Sequence, residues 1–250
     1  MVLGIDSFRE KFKEYADYYT IIGGTACDIL LSEADLLFRA TKDIDMILIM
    51  EDNFPEFAKI FWEYIKEGEY KCGWKNEENM HFYRFTEGKF GYPTMIELFS
   101  RKPGYHLEIE EGIVPVHIDD DTSSLSAILL NDDFYKFMMS GRRVVDGIGI
   151  LGAEYLIPFK MYAWINLLDR KKNGEHVNER DLKKHKYDVF RLLQIVTAGT
   201  KVESEGLVTE SIRRYIEEIN DVDESEVRLR QMGLPFDRDM GVSLLKEIYL

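Results

Sequence analysis

The best candidates for chemistry are two acidic residues separated by a single residue. Asp43 and Asp45 belong to the run KDIDMILIM, whose apolar second half is typical of a strand. Because successive side chains of a strand point to opposite faces, the two carboxylates share a face and lie close together. Such carboxylates repel each other unless a cation lies between them. Paired carboxylate oxygens bind hard cations such as Mg²⁺, which keep waters or phosphates as further ligands.

A glycine pair precedes the acids in the chain. Gly23 and Gly24 follow the predicted strand Tyr19–Ile22 and begin a predicted helix. A glycine turn at a helix N-terminus offers close backbone approach and free N–H groups, which suit a phosphate, and Thr25 adds a hydroxyl. A Gly-Gly pair alone is a common turn, and an Asp-x-Asp alone often lies at a surface strand end. Together, in this order, they favour metal-assisted phosphoryl or nucleotidyl transfer.

Strands and helices alternate around these residues in the N-terminal part of the chain. The predicted helices are Ser7–Tyr19, the segment from Thr25, Phe54–Glu67 and Ser123–Met139, and the further predicted strands are HFYRF, TMIELF and IVPVHI (Ile113–Ile118). The turn-rich stretch Gly141–Gly152 has room for one short strand pair. From Ala153 to Leu250 the pattern has a helical period. The sequence therefore predicts an α+β domain over residues 1–145, with a small mixed sheet and flanking helices, and a helical domain over 146–250.

Composition narrows the class of protein. The 250 residues include 32 Lys and Arg against 46 Asp and Glu, a formal net charge of −14, which disfavours a broad basic surface for nucleic acid. Two cysteines, Cys27 and Cys72, are too few for a disulfide framework or a zinc cluster. We find no signal-peptide pattern and no apolar run of about 18 residues, the length that a membrane span needs. We therefore expect a cytoplasmic protein without a membrane partner.

The run IIGGTACDILLSEADLLFRATKDIDMILIM resembles the signature of the nucleotidyltransferase superfamily typified by DNA polymerase β. The resemblance is closer to the AbiEii/AbiGii toxin-like branch, whose form is GGT…R-x-T-K-D-I-D, and Arg39, Thr41 and Lys42 match it. This resemblance implies a nucleotidyltransferase-like mixed sheet with flanking helices. It also implies two Mg²⁺ ions, held by Asp43 and Asp45, that bridge the triphosphate of an NTP donor. An NMP group would then pass to an acceptor with release of pyrophosphate.

The family also has a third carboxylate on a neighbouring strand, which binds metal or acts as general base. Glu97 in TMIELF is our candidate for this third catalytic and metal-binding acid, because its side chain points opposite to those of Ile96 and Leu98. Asp119 is the second candidate. The alternative for Glu97 is the solvent-facing side of an alternating strand.

Nucleotide contacts are expected in both parts of the chain. The resemblance assigns them to Gly23, Gly24, Thr25 and Lys42, and to Lys160 and Lys184 in the helical part. Lys160 lies in an otherwise apolar helical stripe, so its ammonium must reach a partner such as a nucleotide phosphate or extend to solvent. Lys184 and Asp188 are four residues apart and share a helix face, where they contact nucleotide or form an ion pair.

The leading hypothesis is therefore a Mg²⁺-dependent, toxin-like nucleotidyltransferase whose acceptor is a small molecule, a protein or RNA. Two alternatives stay open. One is a small-molecule adenylyltransferase of the antibiotic-modifying type, and the other is a catalytically inactive nucleotide- or partner-binding module. If the protein is a toxin, we expect an antitoxin protein as its partner.

Overall fold

The computed structural model describes residues 2–49, 54–72, 83–99, 131–222 and 227–250. The chain divides into two compact units, each built from two segments. The first unit comprises Met1–Thr122 and Arg142–Leu151, and the second comprises Ser123–Gly141 and Gly152–Leu250. The predicted domain boundary between residues 145 and 146 differs from this division and stays a prediction.

The first unit contains a mixed seven-stranded sheet with helices, which confirms the predicted α+β fold. Its helices are α1 (Ile5–Phe12), α2 (Gly23–Glu33) and α3 (Phe54–Glu67). Its strands are β1 (Tyr19–Ile22), β2 (Asp43–Leu48), β3 (Lys71–Cys72), β4 (Tyr83–Thr86), β5 (Met95–Phe99), β6 (Arg142–Val145) and β7 (Ile148–Leu151). They lie in the order β3-β4-β5-β2-β1-β7-β6. Strand β2 runs antiparallel to β1 and parallel to β5, and β7 is parallel to β1.

The predicted helix over Ser7–Tyr19 is only partly correct. Helix α1 ends at Phe12, and a 3₁₀-helix follows over Lys13–Tyr18 with a non-helical residue, Tyr15, inside it. Aromatic packing explains the change from α-helix to 3₁₀-helix. The centroid of the Phe8 ring lies 4.5 Å from that of Phe12 and 5.4 Å from that of Tyr19. These tertiary contacts outweigh a local helical period.

Aromatic side chains also join α3 to this core. The Phe12 ring lies 5.7 Å from Phe57 and 5.1 Å from Tyr64, both on α3. All four residues of β1 are buried. The end of β1, at Ile22, is therefore held by a packed core, which places the glycine turn that follows it.

The second unit is helical over the residues that the structure describes, as predicted. It contains α4 (Asp132–Ser140), α5 (Ala153–Lys172), α6 (Glu179–Leu193), α7 (Gly206–Asp221), a 3₁₀-helix (Arg230–Met232) and α8 (Arg238–Tyr249). The side chains of Asn131, Asn178 and Asp237 accept backbone N–H groups and cap α4, α6 and α8. Among the described residues, none of the helices is both long enough and apolar enough for a membrane crossing.

Three further predictions fall wholly or partly outside the described residues, and a fourth lies within them. The strand predicted over Ile113–Ile118 and the candidate Asp119 lie outside them. The helix predicted over Ser123–Met139 is described only from α4 onward. The strand pair expected within Gly141–Gly152 is present as the antiparallel hairpin β6–β7.

Candidate functional site: an acid row beside a glycine turn

The turn between β1 and α2 requires glycine for two reasons. Gly23 has a φ of +70°, in the left-handed region that side chains rarely adopt. A Cβ atom there would also overlap Oδ2 of Asp45. Strand register explains this approach, because Ile22 is the partner of Asp45 in the antiparallel pair β1–β2. The glycine turn and the second acid are therefore in direct proximity.

The segment between α2 and β2 lies against the second glycine. A Cβ atom on Gly24 would lie 2.9 Å from Oγ1 of Thr41 and 3.5 Å from Nη1 of Arg39. The Arg39 guanidinium also lies 4.4 Å from the centroid of the Phe38 ring. Arg39 and Thr41 thus bring a guanidinium and a hydroxyl beside the first turn of α2. The N-terminus of this helix carries a positive partial charge.

Thr25 and Lys42 differ in how far they are available to a ligand. Thr25 is buried, and its hydroxyl donates a hydrogen bond of 2.5 Å to the backbone carbonyl of Asp43. In this structure Thr25 therefore ties α2 to the start of the acid strand. Lys42 is exposed, immediately before β2. Nucleotide contacts by Thr25 and Lys42 stay predictions.

The acids themselves lie on two parallel strands. Asp43 and Asp45 are half-buried on β2, and Asp45 is the register partner of Glu97 on β5. Residues that face each other across neighbouring strands project from the same side of the sheet. The structure therefore brings Glu97 beside the acid pair, as the position of a third carboxylate requires, although its role in metal binding or catalysis stays a prediction.

Glu97 does not face solvent, so that alternative is wrong. Its side chain is 8% exposed, and its Oε1 accepts a hydrogen bond of 2.5 Å from Nε of Arg84, whose side chain is 29% exposed. Arg84 is the register partner of Glu97 in the antiparallel pair β4–β5. Sequence reasoning missed Arg84, because an arginine in HFYRF is ordinary until the partner strand is known. We call Arg84, Glu97 and Asp45, on adjacent strands, the acid row.

The chemistry of these side chains fits a magnesium ion that keeps several other ligands. Asp43 and Asp45 supply half-buried carboxylate oxygens, the donors that Mg²⁺ prefers. Within the described residues, no three His, Cys, Asp or Glu side chains come together as a ready-made metal site. Waters and substrate phosphates would therefore supply much of the coordination, as is usual for Mg²⁺.

In the second unit, Lys160 belongs to a buried charge cluster. Its Nζ lies 3.2 Å from Oδ2 of Asp188, and Nη1 of Arg191 lies 3.3 Å from Oδ1 of the same carboxylate. Lys160 is 3% exposed and Asp188 is fully buried, so the expectation that Lys160 extends to solvent is wrong. A charged group buried this deeply needs a partner, and Asp188 supplies one. We call Lys160, Asp188 and Arg191 the buried cluster.

Lys184 has a different environment from Lys160. Its side chain is 38% exposed, and its Nζ lies 3.8 Å from Oδ1 of Asp181. Asp188, expected to be on the same face as Lys184, contacts Lys160 and Arg191 instead. The structure thus places Lys160 and Lys184 in the second unit, and in the first unit the other predicted site residues, Gly23, Gly24, Thr25, Lys42, Asp43, Asp45 and Glu97. Nucleotide binding by Lys160 and Lys184 stays a prediction.

Comparisons with known proteins identify no family. No family model matches the chain, and no curated protein matches it either. One similar solved structure is an antigenic nucleotidyltransferase-like protein from Paracoccidioides brasiliensis, with a TM-score of 0.48, 12% identity, and coverage of 99% of this chain and 95% of that chain. Another is the Megavirus polyadenylate synthase, with a TM-score of 0.40 and 12% identity. The second match covers 88% of this chain but only 36% of the synthase. At these scores and identities, neither likeness supports an assignment of activity or substrate.

Proposed function

We propose that the protein is a Mg²⁺-dependent nucleotidyltransferase that transfers an NMP group from an NTP to an acceptor and releases pyrophosphate. One observation supports this most strongly. Asp45 has Ile22, the residue before the glycine turn, as its partner on one side and Glu97 on the other. The glycine turn, the acid pair and Glu97 are thereby adjacent, which supports their proposed roles as phosphate-binding turn, metal-binding pair and third acid.

Each part of this arrangement has a role in the proposed reaction. Backbone N–H groups at the start of α2, beginning with Gly23 and Gly24, bind the triphosphate, because they point out of the helix N-terminus. Asp43 and Asp45 would hold magnesium, which when bound supplies charge neutralisation of the phosphates. The acceptor oxygen forms a bond to the α-phosphorus as the bond to the pyrophosphate oxygen breaks. Glu97 would hold metal or take the acceptor proton.

The identity of the acceptor divides the proposal into finer hypotheses. A toxin-like enzyme would modify RNA or a protein, and would have an antitoxin partner. An antibiotic-type adenylyltransferase would use the same site on a small molecule. The net charge of −14 favours a cationic small molecule or a protein over a long RNA. Expression of wild type and Asp45→Asn separates these hypotheses, because a toxin slows growth only with its acids intact.

A thermal-shift titration tests the donor site. We expect one of ATP, GTP, CTP and UTP to raise the melting temperature only when Mg²⁺ is present, since binding to the native state stabilises it. Asp45→Asn should lose this shift. Asp35→Asn is the matched control, because Asp35 is exposed, has a φ of +58° that asparagine tolerates, and carries the same charge.

Two results would contradict the enzyme assignment. If no nucleotide shifts the wild type, the donor site is absent and a partner-binding module becomes the better hypothesis. If Mg²⁺-NTP binds but no NMP group reaches any protein, RNA or small-molecule fraction of a cell extract, the inactive nucleotide-binding module is favoured.

A further inference from the structure

The acid row contains a cation of its own. Arg84, Glu97 and Asp45 are successive register partners across β4, β5 and β2, so their side chains project from the same face of the sheet. The Arg84 guanidinium is bonded to Oε1 of Glu97 through Nε. Glu97 therefore has a positive group on one side and the acid pair on the other.

Burial makes the Arg84–Glu97 contact stronger than an ordinary surface ion pair. The Glu97 side chain is 8% exposed, so few waters solvate its carboxylate and the guanidinium supplies the compensating charge. The lack of a ready-made cluster of three metal-ligating side chains among the described residues agrees with this geometry. Glu97 is next to the acid pair in register, but its carboxylate is engaged by Arg84.

We propose that Arg84 is a positioning residue that competes with the divalent cation for the Glu97 carboxylate. This inference rests on the proposed function, because it concerns the same metal-binding acids. In the protein without nucleotide, Asp43 and Asp45 bind the cation while Arg84 holds Glu97. Glu97 becomes a metal ligand through both of its oxygens only when Oε1 leaves the guanidinium. Arg84 thereby weakens metal binding until a substrate adds its phosphates.

A Mn²⁺ titration of the full-length protein without nucleotide, followed by the electron paramagnetic resonance of free Mn²⁺, measures this competition directly. Releasing the Glu97 carboxylate so that it can join Asp43 and Asp45 as a further ligand should tighten binding about tenfold in Arg84→Gln. Arg84→Lys keeps the charge and should restore an affinity close to that of wild type. Arg143→Gln is the matched control: Arg143 pairs with exposed Glu33 in the same unit, and its loss changes net charge equally.

A second variant identifies Glu97 as the group through which Arg84 acts. Glu97→Gln alone should weaken Mn²⁺ binding by no more than about tenfold, the effect of removing one nearby negative charge, because Arg84 already holds the carboxylate. In the Arg84→Gln background the same change should remove most of the gain. Glu97→Gln tests the positioning role of Arg84 even if Arg84→Gln fails to fold. A loss of Mn²⁺ affinity of more than about tenfold in Glu97→Gln alone would show that Glu97 is already a metal ligand, and would overturn that role.

The remaining outcomes separate this inference from the proposed function. If folded Arg84→Gln binds Mn²⁺ no more tightly than wild type, or gains equally with and without Glu97, the positioning role is overturned while the acid pair can still be a metal site. If wild type binds no Mn²⁺, or binds it equally well in Asp45→Asn, both the inference and the proposed function fail.

Discussion

The acid row and the buried cluster use the same residue types in opposite ways. In the acid row, Asp45 is half-buried and Glu97 is bonded to Arg84, a side chain that is 29% exposed. In the buried cluster, Asp188 is fully buried between Lys160 and Arg191. Because Asp45 and Arg84 are partly exposed, we expect the first group to exchange one partner for another more readily. The second cannot lose a partner without leaving a charge buried and uncompensated.

This contrast shows how burial separates functional from structural charge. A half-buried carboxylate loses little when it exchanges one partner for another, so it is available to a cation or a substrate. A carboxylate removed from water must keep its partners. The Asp188 carboxylate on α6 therefore contributes to the packing of that helix against α5, which carries Lys160.

Asp45→Asn should abolish nucleotidyl transfer, with a fall of about a thousandfold or more, since the charge that holds the metal is removed. The free energy of unfolding of Asp45→Asn should equal that of wild type or exceed it, because the uncharged amide at position 45 no longer repels the carboxylates of Asp43 and Glu97. Transfer from α-labelled NTP into extract fractions and urea denaturation measure the two quantities. Loss of the fold would mean that the acid row is structural, like the buried cluster.

Lys160→Met should lower the free energy of unfolding by about 3 kcal/mol or more, because it leaves the Asp188 carboxylate buried with one cation fewer. The double variant Lys160→Met/Asp188→Leu should be less destabilised than the two single changes added together. Urea denaturation measures both. If the free energy of unfolding of Lys160→Met falls by less than about 1 kcal/mol, Arg191 alone compensates Asp188. The difference between the buried cluster and the acid row would then be smaller than we expect.

Gly23→Ala should destabilise the protein by about 2–4 kcal/mol and remove nucleotide binding, because the new methyl group overlaps the Asp45 carboxylate in addition to straining the backbone. Gly91→Ala is the matched control in the same unit: its φ is +90°, with nothing within 4 Å of the added atom. It should show only the backbone cost of about 1–2 kcal/mol. Equal losses in the two variants would contradict the close contact between the glycine turn and Asp45.

Lys184→Ala should change the free energy of unfolding by less than about 0.5 kcal/mol, since its contact with Asp181 is a long, exposed ion pair. The Mg²⁺-NTP thermal shift of the same variant tests the predicted nucleotide contact separately from stability. A reduced shift with unchanged stability supports that contact. A large loss of stability would place Lys184 with the buried cluster instead.

The local features of the first unit were predictable from the chain. The alternation in KDIDMIL predicted that Asp43 and Asp45 share a face of a strand, and the glycine pair predicted a turn into a helix. These predictions depend on neighbours within a few residues, so the pattern alone carries them. The end of α1 was less predictable, because its change to a 3₁₀-helix follows from rings packed against Tyr19 and α3.

The partners of the charged residues, in contrast, were decided by the tertiary structure alone. Glu97 was a candidate by its position in an alternating strand, but only the order of the sheet and the register of β2, β4 and β5 place it between Asp45 and Arg84. In the same way, Lys160 needed a partner by its place in an apolar stripe, and helix packing supplied Asp188. Periodicity determines which face a side chain takes along its own element. Which residue it meets there depends on contacts between distant segments, whose energies are summed over the whole fold.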